Sequence, residues 1–95
     1  MPETLEATIL EEPNAIDESV TIGYPTGRRI ADRTLRIGPD ANLRSGTVVY
    51  VGTTIGRGLQ TGHNVVIREE NIIGDNVGIW SNSVIDYGCR IGNNV

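Results

Sequence analysis

Every sixth residue from Ile37 onward reads Ile37, Leu43, Val49, Ile55, Thr61, Ile67, Ile73, Ile79, Ile85, Ile91. Nine of these ten are Ile, Leu or Val, although those three types make up only 26 of the 95 residues. An α-helix brings its apolar face round about every 3.6 residues and an ordinary half-buried strand every 2, so neither produces a six-residue ruler. A slower beat lies over the first. Ile37-Gly38, Ile55-Gly56, Ile73-Gly74 and Ile91-Gly92 recur at intervals of eighteen.

Six residues per unit and three units per repeat predict an all-β chain wound as a parallel β-helix of hexapeptide repeats. Each unit supplies a short strand with its aliphatic residue inward, then a corner. Three units close one triangular coil, and the next coil stacks at the usual strand spacing of about 4.8 Å. Ile37, Ile55, Ile73 and Ile91 then form one interior column. A second inward position follows four residues later, through Ala41, Thr47, Thr53, Leu59, Val65, Asn71, Val77, Ser83, Cys89 and Val95. These are mostly small, as a narrow bend requires. The register predicts about four to five coils.

Toward the N-terminus, residues 1–9 read as a polar segment and the ruler starts at Leu10, continuing through Ile16 and Ile22, with Ala15 and Val20 at or near inward positions. From Ile22 to Ile37 the spacing is fifteen, not a multiple of six. Residues 24–36, with a Pro-Thr-Gly turn signal, are therefore expected to leave the first coil as a loop. The repeat domain spans 10–95. Arg28 and Arg29 in this loop either hold a phosphate or carboxylate or decorate a solvated turn.

Twelve acidic against eight basic residues give a net charge of −4, which argues against nucleic acid or an anionic membrane as the main partner. The single cysteine, Cys89, cannot form an intrachain disulfide and falls on an inward position, where it serves as core filler rather than a reactive thiol. No signal-peptide pattern and no membrane-length apolar run is present, which predicts a cytoplasmic protein.

Residues eighteen apart share a column, so the outward faces can be read as well. Val48, Val66 and Val84 form an apolar outward stripe, the kind of surface that marks an interface. Beside it runs Tyr50, Arg68, Asp86, a potential ionic ladder. The corner entering this face stacks Ser45, His63 and Ser81 next to Gly46, Asn64 and Asn82, and the following corner carries Val51, Glu69 and Tyr87. His63 lies in the unit whose ruler residue, Thr61, is not aliphatic. A break in a consistent pattern suits a functional site, but a Thr that fits the core and an exposed corner His would look the same. Asn82 likewise suits a corner for its tolerance of left-handed backbone.

The repeats, and the segments "IGYPTGRRI", "TGHNVVIREE" and "IWSNSVIDYGCRIGNNV", resemble the left-handed β-helix acyltransferases over Leu10 to Val95. Within that family they are most similar to the N- or O-acetyltransferases of nucleotide-linked sugars. The resemblance implies left-handed coils, a homotrimer and acetyl-CoA as co-substrate in the cleft between neighbouring helices, with the valine stripe as the subunit contact. It implies His63 as general base and Asn82, Asp86 and Glu69 as acceptor-binding residues. In some amino-sugar members the departing thiolate takes the proton instead. Family members usually continue for several coils and a cap, so the stop at Val95 predicts the front portion of a longer enzyme, a truncated product, or an end covered by a partner. Two other functions fit a trimeric β-helix. A zinc carbonic anhydrase needs three histidine ligands at shared edges, and one histidine per chain excludes it. A non-catalytic scaffold, using the stripe only for association, is the alternative.

Overall fold

A computed structural model describes residues 3–4 and 8–95. Among these described residues there is no helix, and they form fourteen short strands. In order these are β1 (Glu3–Thr4), β2 (Thr8–Leu10), β3 (Ala15–Ile16), β4 (Thr21–Tyr24), β5 (Leu35–Ile37), β6 (Asn42–Leu43) and β7 (Val48–Tyr50). They continue as β8 (Thr54–Ile55), β9 (Gln60–Thr61), β10 (Val66–Ile67), β11 (Ile72–Ile73), β12 (Gly78–Ile79), β13 (Val84–Ile85) and β14 (Arg90–Ile91). Successive strands are dealt in turn to three parallel sheets. The first holds β1-β4-β7-β10-β13, the second β2-β5-β8-β11-β14 and the third β3-β6-β9-β12. This is a solenoid-like, all-β arrangement. Strand β1 lies within residues 1–9 and β2 begins there, at Thr8, so strand structure begins earlier than the polar segment suggested.

The registers show why a six-residue ruler is needed. Val48, Val66 and Val84 pair in one row, and Ile37, Ile55, Ile73 and Ile91 in another, each step being eighteen residues. The ruler residues Ile37, Leu43, Val49, Ile55, Ile67, Ile73 and Ile79 are buried, and Ile85 and Ile91 pack partly buried against the same core. Burying each such side chain contributes about 1.5–3 kcal/mol. The second inward set is buried from Ala41 to Val77, whereas Ser83 and Cys89 are half-buried and Val95 is exposed. Ala15 faces out; Val20 takes the inward place before Ile22.

Polar members of the inward set are matched with partners. Thr61 Oγ1 accepts the Arg44 N–H at 3.2 Å and lies 3.3 Å from Thr47 Oγ1. Asn71 Nδ2 donates to the Arg68 carbonyl at 2.9 Å, and its Oδ1 accepts the Cys89 N–H at 2.7 Å. A buried polar group costs little only when it is hydrogen-bonded in this way. Thr61 therefore has a structural reason to interrupt the aliphatic ruler.

The corners follow a ruler of their own. Asp40, Gly46, Gly52, Gly58, Asn64, Glu70, Asn76, Asn82, Gly88 and Asn94, spaced six apart, all adopt φ between 57° and 81°. Left-handed backbone is open to glycine and tolerated by Asn and Asp, so this series sets each bend. The asparagine preference at Asn82 belongs to this pattern.

Before the loop the registers lengthen. Leu10 pairs with Ile37, Ile16 with Leu43 and Ile22 with Val49, each twenty-seven apart, so nine residues are inserted between β4 and β5. Counted from Leu10, the insertion closes the first lap. It folds back over the corner below rather than extending into solvent. A side chain on Gly52 would meet Ile30 Cδ1 at 2.6 Å and the Asp32 carbonyl oxygen at 2.9 Å, so the loop's close approach requires glycine there.

Candidate functional site

The sheet of β1, β4, β7, β10 and β13 is flanked by two different corners. At the entering corner, Ser45, His63 and Ser81 stack one per lap. Ser45 Oγ lies 2.7 Å from His63 Nδ1, and the His63 backbone N–H donates to Ser81 Oγ at 2.8 Å. The Asn82 N–H donates to the His63 carbonyl at 2.9 Å. His63 and Asn82 are exposed and Ser45 is half-buried. The sequence places this column through its eighteen-residue period, and the left-handed residues Gly46, Asn64 and Asn82 turn it outward.

The corner leaving the same sheet is built differently. The Glu69 side chain is 0% exposed and is held by the inserted loop. Thr26 Oγ1 and Arg28 Nη1 both donate to its Oε2 at 2.9 Å, and Arg68 Nε lies 3.3 Å from Oε1. Burial pushes the Glu69 carboxyl up, but its hydrogen bonds from backbone, Arg28 and Thr26, with the charge of Arg68, outweigh that and hold it below the ordinary glutamate value. Arg28 also lies 3.9 Å above the Tyr87 ring centroid, a cation–π contact. Arg68 reaches on to Asp86 at 3.4 Å and has the Tyr50 ring centroid at 5.7 Å, which realises the ladder read from the outward column. Arg28 does hold a carboxylate, and it is the chain's own. Arg29 is exposed.

The four residues singled out from the sequence thus fall into two groups. His63 and Asn82 share the entering corner, while Glu69 and Asp86 lie across the width of the sheet at the leaving corner, bound to Arg68. The Glu69 carboxylate is enclosed by protein, with Oε2 hydrogen-bonded to Thr26 and Arg28 and Oε1 met only by the ionic approach of Arg68 Nε, whereas Asp86 stays exposed. Between the corners the stripe is in register: Val48 and Val66 are half-buried and Val84 is 62% exposed.

Two features escaped the sequence reading. Ser45's contact with the imidazole was visible only as an eighteen-residue offset. Trp80, 87% exposed, stands on the corner beside Ser81 and lines a cavity of about 400 Å³ with Gln60, Gly62, Gly78 and Ser81. The segment "IWSNS" places an aromatic residue just after the inward Ile79, which was the available signal. Among the described residues no group of three or more His, Cys, Asp or Glu could hold a metal ion, and no helix is long and apolar enough to cross a membrane.

Comparison of the chain with protein-family models, with curated proteins and with solved structures gives no match. The functional reading accordingly rests on the resemblance carried by the repeats and on the chain's own geometry.

Proposed function

We propose that the three sheets are the sides of a left-handed parallel β-helix of hexapeptide repeats, and that this chain is a cytoplasmic acyltransferase. It moves an acetyl group from acetyl-CoA to an amine or hydroxyl of a nucleotide-linked sugar. Three chains associate through Val48, Val66 and Val84, so that the Ser45–His63–Ser81 column of each borders a cleft. The observation that carries this reading is the exposed imidazole of His63, its Nδ1 2.7 Å from Ser45 Oγ and its backbone N–H bonded to Ser81 Oγ at 2.8 Å, next to an outward apolar stripe. His63 takes the proton from the acceptor nitrogen or oxygen as that atom attacks the thioester carbonyl. The tetrahedral intermediate then expels the CoA thiolate, which takes the proton from the imidazolium. Asn82, on the same corner, orients the sugar, and Asp86 contributes from the opposite corner.

Isothermal titration with acetyl-CoA tests this directly. Saturable heat and a raised melting temperature are expected, with His63→Ala retaining binding and losing turnover at least tenfold. Intact trimers that give no heat would remove the transferase reading. A second reading, a non-catalytic solenoid scaffold, is favoured by the enclosure of Glu69 and by the separation of the candidate residues between two corners. It predicts trimers with no response to acetyl-CoA.

A further inference from the structure

The column that carries His63 also decides which ring nitrogen can meet a substrate. Its backbone is held on one side by Ser81, through the His63 N–H, and by Asn82, through the His63 carbonyl. Its ring is held by Ser45, whose Oγ lies 2.7 Å from Nδ1. With Nδ1 occupied, the nitrogen on the far side of this exposed ring is Nε2. A neutral imidazole carries one N–H, and its other nitrogen offers the lone pair. If Ser45 donated its hydroxyl proton to Nδ1, the ring proton would be on Nε2 and no lone pair would face outward.

We propose that Ser45 is the positioning residue for His63: its Oγ accepts the Nδ1–H, which leaves the Nε2 lone pair turned outward as the base. The proposal rests on the reading of His63 as general base and deepens it. During transfer the acceptor's proton passes to Nε2, and the imidazolium keeps donating Nδ1–H to Ser45 Oγ. The Nε2 proton then goes to the departing thiolate, and the ring returns to its starting tautomer.

His63 is the only histidine, so a long-range ¹H–¹⁵N spectrum of the full chain reads a single imidazole. At a pH where the ring is neutral, the wild type is expected to show a protonated Nδ1 and an unprotonated Nε2. Ser45→Ala is expected to shift the tautomer ratio toward Nε2–H by roughly fivefold, the equivalent of one hydrogen bond of about 1 kcal/mol. Ser45→Thr, which keeps the hydroxyl, is expected to restore the wild-type ratio. A wild-type ring protonated mainly on Nε2, or a ratio unmoved in Ser45→Ala, overturns the assignment. The wild-type spectrum alone decides the matter should Ser45→Ala fail to fold. Acetyl-CoA titration of the same samples separates the two claims. The proposed tautomer without acetyl-CoA binding keeps Ser45's role in holding the ring and removes acetyl transfer. Binding with the opposite tautomer keeps the transferase reading and removes Ser45's role.

Discussion

Glu70 is the single member of the left-handed corner series that is not glycine, asparagine or aspartate, at φ 59°. Its side chain's main return is an ion pair with Arg28 at 3.6 Å, both partners well exposed, and such pairs contribute a few tenths of a kcal/mol. Left-handed backbone costs an ordinary L-residue about 1–2 kcal/mol. Glu70→Asn is therefore expected to stabilise the chain by about 1 kcal/mol, read as a higher midpoint in urea with an unchanged slope. The neighbouring Glu69 makes the opposite case. Its folded-state carboxyl lies below the ordinary value of 4.5, so its stabilisation is complete above that pH and is lost as pH falls through the lower folded-state value. Glu69→Gln is expected to cost about 2 kcal/mol at neutral pH. It should also flatten the acid limb of a stability–pH curve measured by urea titration; an acid limb as steep as the wild type's would contradict the assignment. Neither feature was legible beforehand. Glu69 reads as a corner residue because its column contains Val51 and Tyr87, and only the loop that covers it shows why a carboxylate is buried there.

The strands are two to four residues long, so pairing with the laps above and below, rather than length, holds each in place. Glycine sets how closely those laps can approach. A side chain on Gly38 would meet the Gly56 carbonyl oxygen at 2.6 Å, whereas one on Gly78 would meet nothing within 4 Å. Gly38→Ala is expected to cost about 1–3 kcal/mol through forced backbone movement. Gly78→Ala should be neutral or slightly stabilising, because alanine restricts the unfolded chain. Thermal unfolding of the two variants side by side checks the contrast, and equal melting temperatures would refute it. At this level the sequence was most informative. The six-residue ruler placed every strand from β5 to β14, because an inward aliphatic is required once per side. The loop appeared as a broken spacing, but its fold-back was not visible. Its anchors, Thr26 and Arg28 on Glu69, join residues more than forty positions apart and follow no period.

The assembled chain presents one sheet with an apolar outward row, and the proposed trimer places that row between subunits. Val84→Arg puts a charge in the row and is expected to convert trimers to monomers in sedimentation velocity, with the folded β signal retained. A trimer indifferent to this change would remove the stripe from the interface. The corners, the stripe and the placement of the imidazole all depend on the lap of eighteen residues. The backbone hydrogen bonds state that lap without reference to side chains. The N–H of Val48 donates to Val65, Thr54 to Asn71, Gln60 to Val77, Val66 to Ser83 and Ile72 to Cys89, always seventeen residues ahead. Before the inserted loop the step grows by nine: Ala15 donates to Ala41 and Thr21 to Thr47. Scalar couplings across hydrogen bonds, measured on a uniformly ¹³C,¹⁵N-labelled sample, read donor and acceptor directly. Correlations from the amides of Val48, Thr54, Gln60, Val66 and Ile72 to the carbonyls seventeen residues ahead, with a step of twenty-six for Ala15 and Thr21, are the predicted result. Correlations between strands adjacent in sequence, as antiparallel hairpins would give, would contradict the fold and everything built on it.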